Sequence, residues 1–239
     1  KMSSKNFSFK QFVINHDKSA MKVGVDGVML GAWTDVTNAA NILDIGTGTG
    51  LIAIMLAQRN SAANIDAVEI EPQSYRQAVE NVNNCKWKNR INVIHKRFQT
   101  FVEATHKRYD LIVSNPPYFI ASLQSPEIQR TVARHSLSLT QDDLLTGINK
   151  ILTDTGKFAA IFPYIEANIF IAKAAVQKIF CNKKTNIKPS PEKPVKRIML
   201  EFSRIKRNLM ENTICIETSK RHDYTAEYKM LTKDFYIKF

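Results

Sequence analysis

The sequence predicts an α/β domain organised around a doubly wound, mostly parallel β-sheet. The main observation is that short apolar runs alternate with longer stretches of helical periodicity, which is typical of repeated strand–helix units. The second is composition: 44% of the 239 residues are hydrophobic, an ordinary fraction for a folded domain. Composition therefore excludes a largely disordered chain, and the length fits one domain of this class with modest additions.

The predicted elements alternate along the middle of the chain. Buried strands are predicted at residues 41–45, 65–69, 91–94, 109–113 and 157–162. Helices are predicted at residues 51–59 and 72–84. A further helix begins after Thr140, because Thr140 and Asp143 have the spacing of a capping box, and it is expected to end near Gly156. Two late strands are predicted to pair as a hairpin, at residues 195–202 and 213–218.

The two ends of the chain differ from this alternating core. Residues 1–40 precede the first predicted strand, and residues 183–207 carry nine Lys or Arg against two Glu. We expect residues 1–239 to form a single domain, in which residues 183–239 are a basic C-terminal extension.

The chain as a whole is basic, with 34 Lys and Arg against 22 Asp and Glu and a formal net charge of +12. This excess favours a polyanionic partner such as nucleic acid, or an acidic surface. Cys85, Cys181 and Cys215 include no CxxC pair, so neither a metal site nor a disulfide framework is expected, and the cytoplasm is the expected compartment. No run approaches the roughly 20 apolar residues of a membrane helix, so no membrane partner is predicted.

A glycine-rich turn joins the first predicted strand to the first helix. Such a turn brings the backbone close to a ligand, and the helix after it presents free N–H groups. Glu69 ends the next strand, 19 residues after Gly50, where an acidic side chain can bind ribose hydroxyls. The Gly-x-Gly-x-Gly spacing is similar to motif I of S-adenosylmethionine (SAM) methyltransferases, more than to the Gly-x-Gly-x-x-Gly of NAD enzymes. The candidate cofactor residues of this turn and strand are Asp44, Gly46, Thr47, Gly48, Gly50 and Glu69.

A second motif, Asn115-Pro116-Pro117-Tyr118, directly follows the fourth predicted strand. Neither proline has an N–H, so the backbone presents carbonyl oxygens here. The Asn115 side chain and the Pro116 carbonyl can accept hydrogen bonds from both N–H groups of one planar amine, and Tyr118 can stack on a flat base. These four residues predict methyl transfer to an amine, with Asn115 also beside the cofactor.

Together the two motifs resemble those of the SAM-dependent amino methyltransferases that carry Asn-Pro-Pro-Tyr. That class covers adenine-N6 enzymes acting on DNA and RNA, guanine-N2 enzymes acting on ribosomal RNA, and a glutamine methyltransferase that acts on a release factor. The resemblance implies the Rossmann-like class I methyltransferase fold, with seven strands and one antiparallel edge strand.

The two ends narrow the choice of amine. Phe9, Phe12 and residues 16–33, together with residues 224–236, closely resemble the bacterial tRNA(Val) adenine-N6 methyltransferases, which act on position 37 beside the anticodon. The resemblance implies SAM as cofactor, the tRNA anticodon loop as partner, and residues 1–40 as a segment that covers cofactor or substrate. It also implies that Asp26 binds the amino group of SAM. Phe9 and Phe12 either cover the site or belong to the core.

One position departs from the broader class. Many relatives have an acidic residue after the third strand that holds the SAM adenine, but here the residues are His95-Lys-Arg-Phe98. The backbone N–H of Phe98 is therefore the remaining candidate for that contact.

The basic residues have two readings, phosphate contacts or a solvated surface. The candidate tRNA contacts are Lys183, Lys184, Lys196, Arg197 and Arg134. A monomer or a weak homodimer is expected. Two alternatives to a tRNA adenine methyltransferase remain open: a glutamine or other nucleic-acid amino methyltransferase, and a nucleic-acid binder that holds SAM only structurally.

Overall fold

A computed structural model describes residues 5–19, 22–117 and 139–238. Most of the described strands form one eight-stranded sheet, in the order β10-β8-β9-β7-β6-β3-β4-β5, and β1 and β2 form a separate hairpin. The strands are β1 Asn6–Ser8, β2 Val13–Asn15, β3 Asn41–Ile45, β4 Asn64–Glu69, β5 Ile91–His95, β6 Tyr109–Ser114, β7 Leu152–Pro163, β8 Phe180–Lys188, β9 Arg197–Ser203 and β10 Met210–Cys215.

Helices cover both faces of this sheet, as the doubly wound prediction requires. One hydrophobic cluster packs the sheet against α1, α2, α3 and α7, and a second packs it against α4, α5 and α6. The helices are α1 Val25–Trp33, α2 Leu51–Arg59, α3 Pro72–Asn83, α4 Phe98–Ala104, α5 Gln141–Ile151, α6 Tyr164–Val176 and α7 Ala226–Thr232. In the described part of the chain, no helix has the length and apolarity that crossing a membrane requires.

The local predictions hold best where the pattern is local. β3 and α2 have the predicted bounds, and the capping box of Thr140 and Asp143 is present. The predicted end of α5 near Gly156 is wrong, because α5 ends at Ile151. Leu152 is fully buried and pairs with Tyr109, which draws the chain out of the helix and into a bulged start of β7.

The predicted strand arrangement needs correction at the C-terminal side. The sheet has eight strands instead of seven, and its antiparallel strand β9 lies between β7 and β8, not at the edge. The predicted hairpin is also wrong, because the two late strands β9 and β10 both pair with β8 and not with each other. β8 begins at Phe180, so a boundary at residue 183 falls inside a strand of the main sheet.

The N-terminal hairpin packs beside α3 and the glycine-rich turn. Phe9 and Phe12 are buried and stack on each other, with 4.7 Å between the ring centroids. Of the two alternatives for these residues, the structure therefore favours a place in the core. The Asn81 side chain of α3 donates to the carbonyl oxygens of Asn15 and Thr49, at 2.9 and 2.8 Å. This amide therefore ties the N-terminal segment to the turn after β3.

Close packing of α5 on α4 gives a first prediction. A Cβ added to Gly147 would lie 2.3 Å from Cε1 of the buried Phe98 ring. We expect Gly147→Ala to lower the free energy of unfolding by about 1–3 kcal/mol, since the ring must move within a filled core. Urea unfolding measures this. Gly24→Ala is the matched control, because its Cβ would meet only the Lys22 carbonyl at 3.9 Å; equal losses in both variants would contradict the packing argument.

Candidate active site

The candidate site lies at the carboxyl edge of the parallel strands, where the turn after β3 and the residues after β6 meet. β3 pairs with β6 in parallel, and Ile45 and Ser114 are partners at the ends of the two strands. The buried Ser114 hydroxyl donates to the Ile45 carbonyl oxygen at 2.9 Å. This role of Ser114 could not be predicted from the sequence, because a serine at the end of a strand carries no signal of its own.

The glycine-rich turn has the backbone that its glycines allow. Gly46, Gly48 and Gly50 have φ of 68°, 59° and 82°, in the left-handed region that favours glycine. The N–H groups of Gly46 and Thr47 donate to the Val68 carbonyl oxygen of β4. A Cβ on Gly46 or Gly48 would meet no atom within 4 Å, so this side of the turn faces open space.

Asp44 lies under this turn and is completely buried. Its Oδ2 accepts a hydrogen bond from the Thr47 hydroxyl at 2.6 Å, and its buried Oδ1 has no partner among the described residues. Burial, with a smaller effect from the charge of Glu69, raises the pKa of Asp44 to about 7, against the opposing effects of the Thr47 hydroxyl and the Ala53 N–H. Asp44 therefore shapes the turn from beneath.

Glu69 lies at the end of β4 and is bound to the same turn. Its Oε2 accepts the Gly48 N–H at 2.8 Å, and its Oε1 accepts the N–H groups of Ile70 and Glu71 at 2.9 Å. A carboxylate has about four lone-pair sites, so these three bonds fix the group and leave acceptor capacity. This placement suits binding of a ligand hydroxyl beside the turn.

A small, largely apolar pocket adjoins Gly46 and Glu69. Its apolar walls suit a flat aromatic ring, and Lys96 and Gln99 supply polar edges. Its other lining residues are Ile45, Gly46, Val68, Ile70, Phe98 and Leu139. Phe98 is the first residue of α4, so its N–H has no partner within that helix. Ile70, Gln99 and Leu139 carry no signal in the sequence, because only the fold brings them together.

Asp26 lies in the first turn of α1, next to the glycine-rich turn. Gly27 allows this approach: its Cβ would lie 3.3 Å from the side chain of Leu51, the first residue of α2. The Asp26 carboxylate accepts a hydrogen bond from Nε of Arg197 at 2.9 Å, and both side chains are partly exposed. Arg197, predicted as a tRNA contact, thus forms an ion pair with a predicted cofactor residue.

The Asn-Pro-Pro-Tyr motif begins directly after Ser114, which pairs with Ile45 at the start of the glycine-rich turn. Asn115 is half-buried, Pro116 is buried and Pro117 is exposed, directly after β6. Tyr118 and Arg134 lie outside the described residues.

The remaining predicted tRNA contacts lie at different places along the strands. Lys183 and Lys184 lie in the middle of β8, where the Lys183 ammonium stacks 4.2 Å from the Trp33 ring and Lys184 pairs with Glu211 at 2.9 Å. Lys196 lies at the start of the antiparallel β9, at the same edge as the candidate site, and is exposed. No cluster of metal-ligating side chains occurs among residues 5–19, 22–117 and 139–238.

Comparisons with known proteins agree with this geometry. A family model described as the methyltransferase small domain matches residues 28–158. The chain is 50% identical to the tRNA1(Val) (adenine(37)-N6)-methyltransferase of Trichodesmium erythraeum, over 100% of both chains. It is 45% identical to the protein of the same name from Flavobacterium psychrophilum, over 97% of this chain and 99% of the relative.

Solved structures share the fold at low identity. A predicted O-methyltransferase from Agrobacterium tumefaciens is 18% identical, with a TM-score of 0.69 over 88% of this chain and 96% of that one. M. capricolum TrmK, solved with the cofactor product S-adenosyl-homocysteine, is 14% identical, with a TM-score of 0.55 over 79% of this chain and 71% of that one.

The pKa of Asp44 predicts a pH-dependent stability. Between pH 3.8 and about 7 the unfolded chain has lost the Asp44 proton while the folded chain retains it. The stability contributed by this group is therefore complete below pH 3.8 and lost as pH rises to 7, by at most about 4 kcal/mol. We expect urea unfolding from pH 4 to 7 to show wild-type stability falling relative to Asp44→Asn.

Asp66→Asn is the matched control for this experiment. Asp66 is also partly buried, but hydrogen bonds from Lys107, Tyr109 and Asn92 outweigh that burial and lower its pKa. Its stabilisation is already complete above pH 3.8, and the variant retains Asp44. The stability of Asp66→Asn should therefore fall in parallel with that of the wild type between pH 4 and 7, with a constant difference between the two. A wild-type stability parallel to Asp44→Asn across this window would contradict the buried, protonated Asp44.

Proposed function

We propose that this chain, which belongs to the family of tRNA1(Val) (adenine(37)-N6)-methyltransferases, transfers a methyl group from SAM to the N6 amine of an adenine in tRNA. The observation that carries the proposal is the hydrogen bond between Ser114 and Ile45. It holds the amine-accepting residues after β6 beside the glycine-rich turn, so that an amine and a methyl donor bound there would meet.

The described residues fit SAM as the cofactor. The turn faces open space at Gly46 and Gly48, Glu69 offers a fixed carboxylate for ribose hydroxyls, and the adjoining pocket suits the adenine. Asp26 lies in the first turn of α1 beside Gly27, which packs against Leu51 directly after the glycine-rich turn; there it would bind the amino group of the methionine part. SAM, when bound, supplies a methyl group on a positively charged sulfur.

The chain acts on the amine mainly by orientation and electrostatics. An adenine N6 amine is a poor nucleophile because its lone pair is delocalised into the ring. The Asn115 side-chain oxygen and the Pro116 carbonyl accept both of its N–H bonds, which favours a pyramidal nitrogen and stabilises the positive charge that develops during transfer. No strong base is needed before attack, and in this proposal Tyr118 stacks on the base.

The proposed target is the adenosine at position 37 in the anticodon loop of tRNA(Val). An adenosine in a loop is partly unstacked, so extruding it costs less than flipping a base out of a duplex. The net charge of +12 favours binding of the tRNA backbone. Because β8, β9 and β10 belong to the same sheet as the strands around the glycine-rich turn, we propose that the chain acts as one domain. We also propose that it acts in the cytoplasm, where tRNA is modified.

A transfer assay tests this function against its main alternative. The protein is incubated with methyl-labelled SAM and either total tRNA from a strain that lacks the gene or purified release factors. We expect label in tRNA, recovered as N6-methyladenosine from purified tRNA(Val). Label in release factor alone would favour the glutamine methyltransferase, and no transfer to any of these substrates would contradict the proposal.

Asn115→Ala tests the amine contacts. We expect methyl transfer to fall by about 100-fold or more, since an oriented acceptor of the transition-state charge is lost. SAM affinity, measured by calorimetry, should change little, because the turn and Glu69 are untouched. Asn182→Ala is a control for removal of an asparagine side chain, at a buried amide bonded to Ser203 on the opposite edge of the sheet. Normal turnover of Asn115→Ala would contradict the role of Asn115.

A further inference from the structure

An exposed tyrosine stands next to the amine motif, at the end of the neighbouring strand. Tyr164 is the first residue of α6, directly after β7, and 48% of it is exposed. β7 is the parallel neighbour of β6, so its carboxyl end lies at the candidate site. Because this large aromatic side chain is exposed and does not pack in the core, it is available to contact a ligand at the candidate site.

The register of the two strands gives the distance between Tyr164 and the amine motif. Ser114 pairs with Ala160; Asn115 follows Ser114 by one residue, and Tyr164 follows Ala160 by four. Tyr164 therefore stands three residues farther out, about 10 Å, and one strand spacing of about 4.8 Å to the side. With this backbone offset, the Tyr164 ring can contact a base other than the one held at Asn115.

The backbone of Tyr164 is held on both sides. Its N–H donates to the Lys196 carbonyl oxygen at 3.2 Å, and its own carbonyl oxygen accepts the Asn168 side-chain amide at 2.8 Å. Pro163 precedes it with φ fixed at −55°. A ring on a fixed backbone loses little conformational entropy when a ligand binds, which favours a stacking role.

Positive charge continues from Tyr164 along the same edge. The Lys196 N–H donates to the Ile187 carbonyl oxygen, so Lys196 lies between the start of α6 and the end of β8. Lys196 and Lys193 are exposed, and neither forms an ion pair with a described residue. An aromatic side chain flanked by unpaired cations is the arrangement that single-stranded nucleic acid recognises, by stacking and phosphate contacts.

We propose that Tyr164 stacks on the base of a nucleotide adjacent to the methylated adenosine, and that Lys196 binds a phosphate of the same RNA strand. This inference rests on the proposed function, since it assigns a second contact to the same RNA loop. It places the flanking nucleotide over the start of α6, beside the target base held at Asn115. The protein would then contact two bases of the anticodon loop, and the second contact would increase RNA affinity without touching the reacting amine.

Variants at Tyr164 and Lys196 test the two contacts, with an anticodon stem–loop RNA of tRNA(Val) as the probe. We expect Tyr164→Ala to weaken RNA binding about 5- to 150-fold, which corresponds to the loss of one stacked base, and Tyr164→Phe to keep most of the affinity. Lys196→Ala should lower the slope of log affinity against log salt by about 0.7–1. SAM affinity should be unchanged in all three variants, which also reports that they fold.

Lys150→Ala is the matched control for charge removal. Lys150 is exposed near the end of α5, which leads directly into the start of β7, at the opposite edge of the sheet. Its removal should leave the salt slope unchanged. A slope that falls equally in Lys150→Ala and Lys196→Ala would overturn the phosphate contact, because both losses would then reflect net charge alone.

Abasic substitutions in the RNA identify the stacked nucleotide. An abasic nucleotide on one side of the target should weaken wild-type binding as much as Tyr164→Ala does, and should cost the Tyr164→Ala variant little more. Independent losses at both neighbours, or coupling of Tyr164 to the target adenine itself, would overturn the inference. If wild-type protein methylates tRNA but Tyr164→Ala binds RNA normally, only this inference fails; if wild-type protein methylates no tRNA, the proposed function fails with it.

Discussion

The parallel pairing of β6 with β3 is the constraint on which the candidate site depends. The glycine-rich turn and the Asn-Pro-Pro segment are about 65 residues apart in sequence, yet Ile45 and Ser114 end their strands side by side. The Ser114 hydroxyl fastens the two ends with a hydrogen bond to the Ile45 carbonyl oxygen. A slip of one residue would turn Asp44 to the other face of the sheet and separate the two motifs in level, so the geometry of the candidate site depends on this register.

The same edge holds two buried carboxyl groups with different environments. Glu69 accepts three backbone N–H bonds, which stabilise a carboxylate in place. Asp44 is completely buried and accepts a hydrogen bond from the Thr47 hydroxyl at Oδ2; burial, with a smaller effect from the charge of Glu69, raises its pKa to about 7. One carboxyl group is thus fixed beside the turn, while the other supports the backbone from below.

How much of this was readable from the sequence depends on how local each signal is. The turn from β3 into α2 is encoded by adjacent residues, and its predicted bounds hold. β8 was missed because its lysines hide the apolar alternation; Lys183 covers the Trp33 ring with its ammonium, a contact with a residue 150 positions away. The ion pair of Asp26 with Arg197 spans 171 residues and no local pattern announces it.

The distribution of charge follows from the path of the chain and not from its composition. The basic segment 183–207 runs along β8 towards the carboxyl ends of the parallel strands, turns there and returns along β9, so its cations are spread along the length of these strands. In the middle of β8, Lys184 pairs with Glu211, and just after β9, Arg204 binds the backbone at the end of α5. The turn between the two strands carries Lys193 and Lys196, which are exposed and form no ion pair with a described residue. The net charge of the whole chain can therefore steer a polyanion from a distance, whereas only charges close to a bound polyanion stabilise the complex, because a screened charge beyond about 10 Å contributes little.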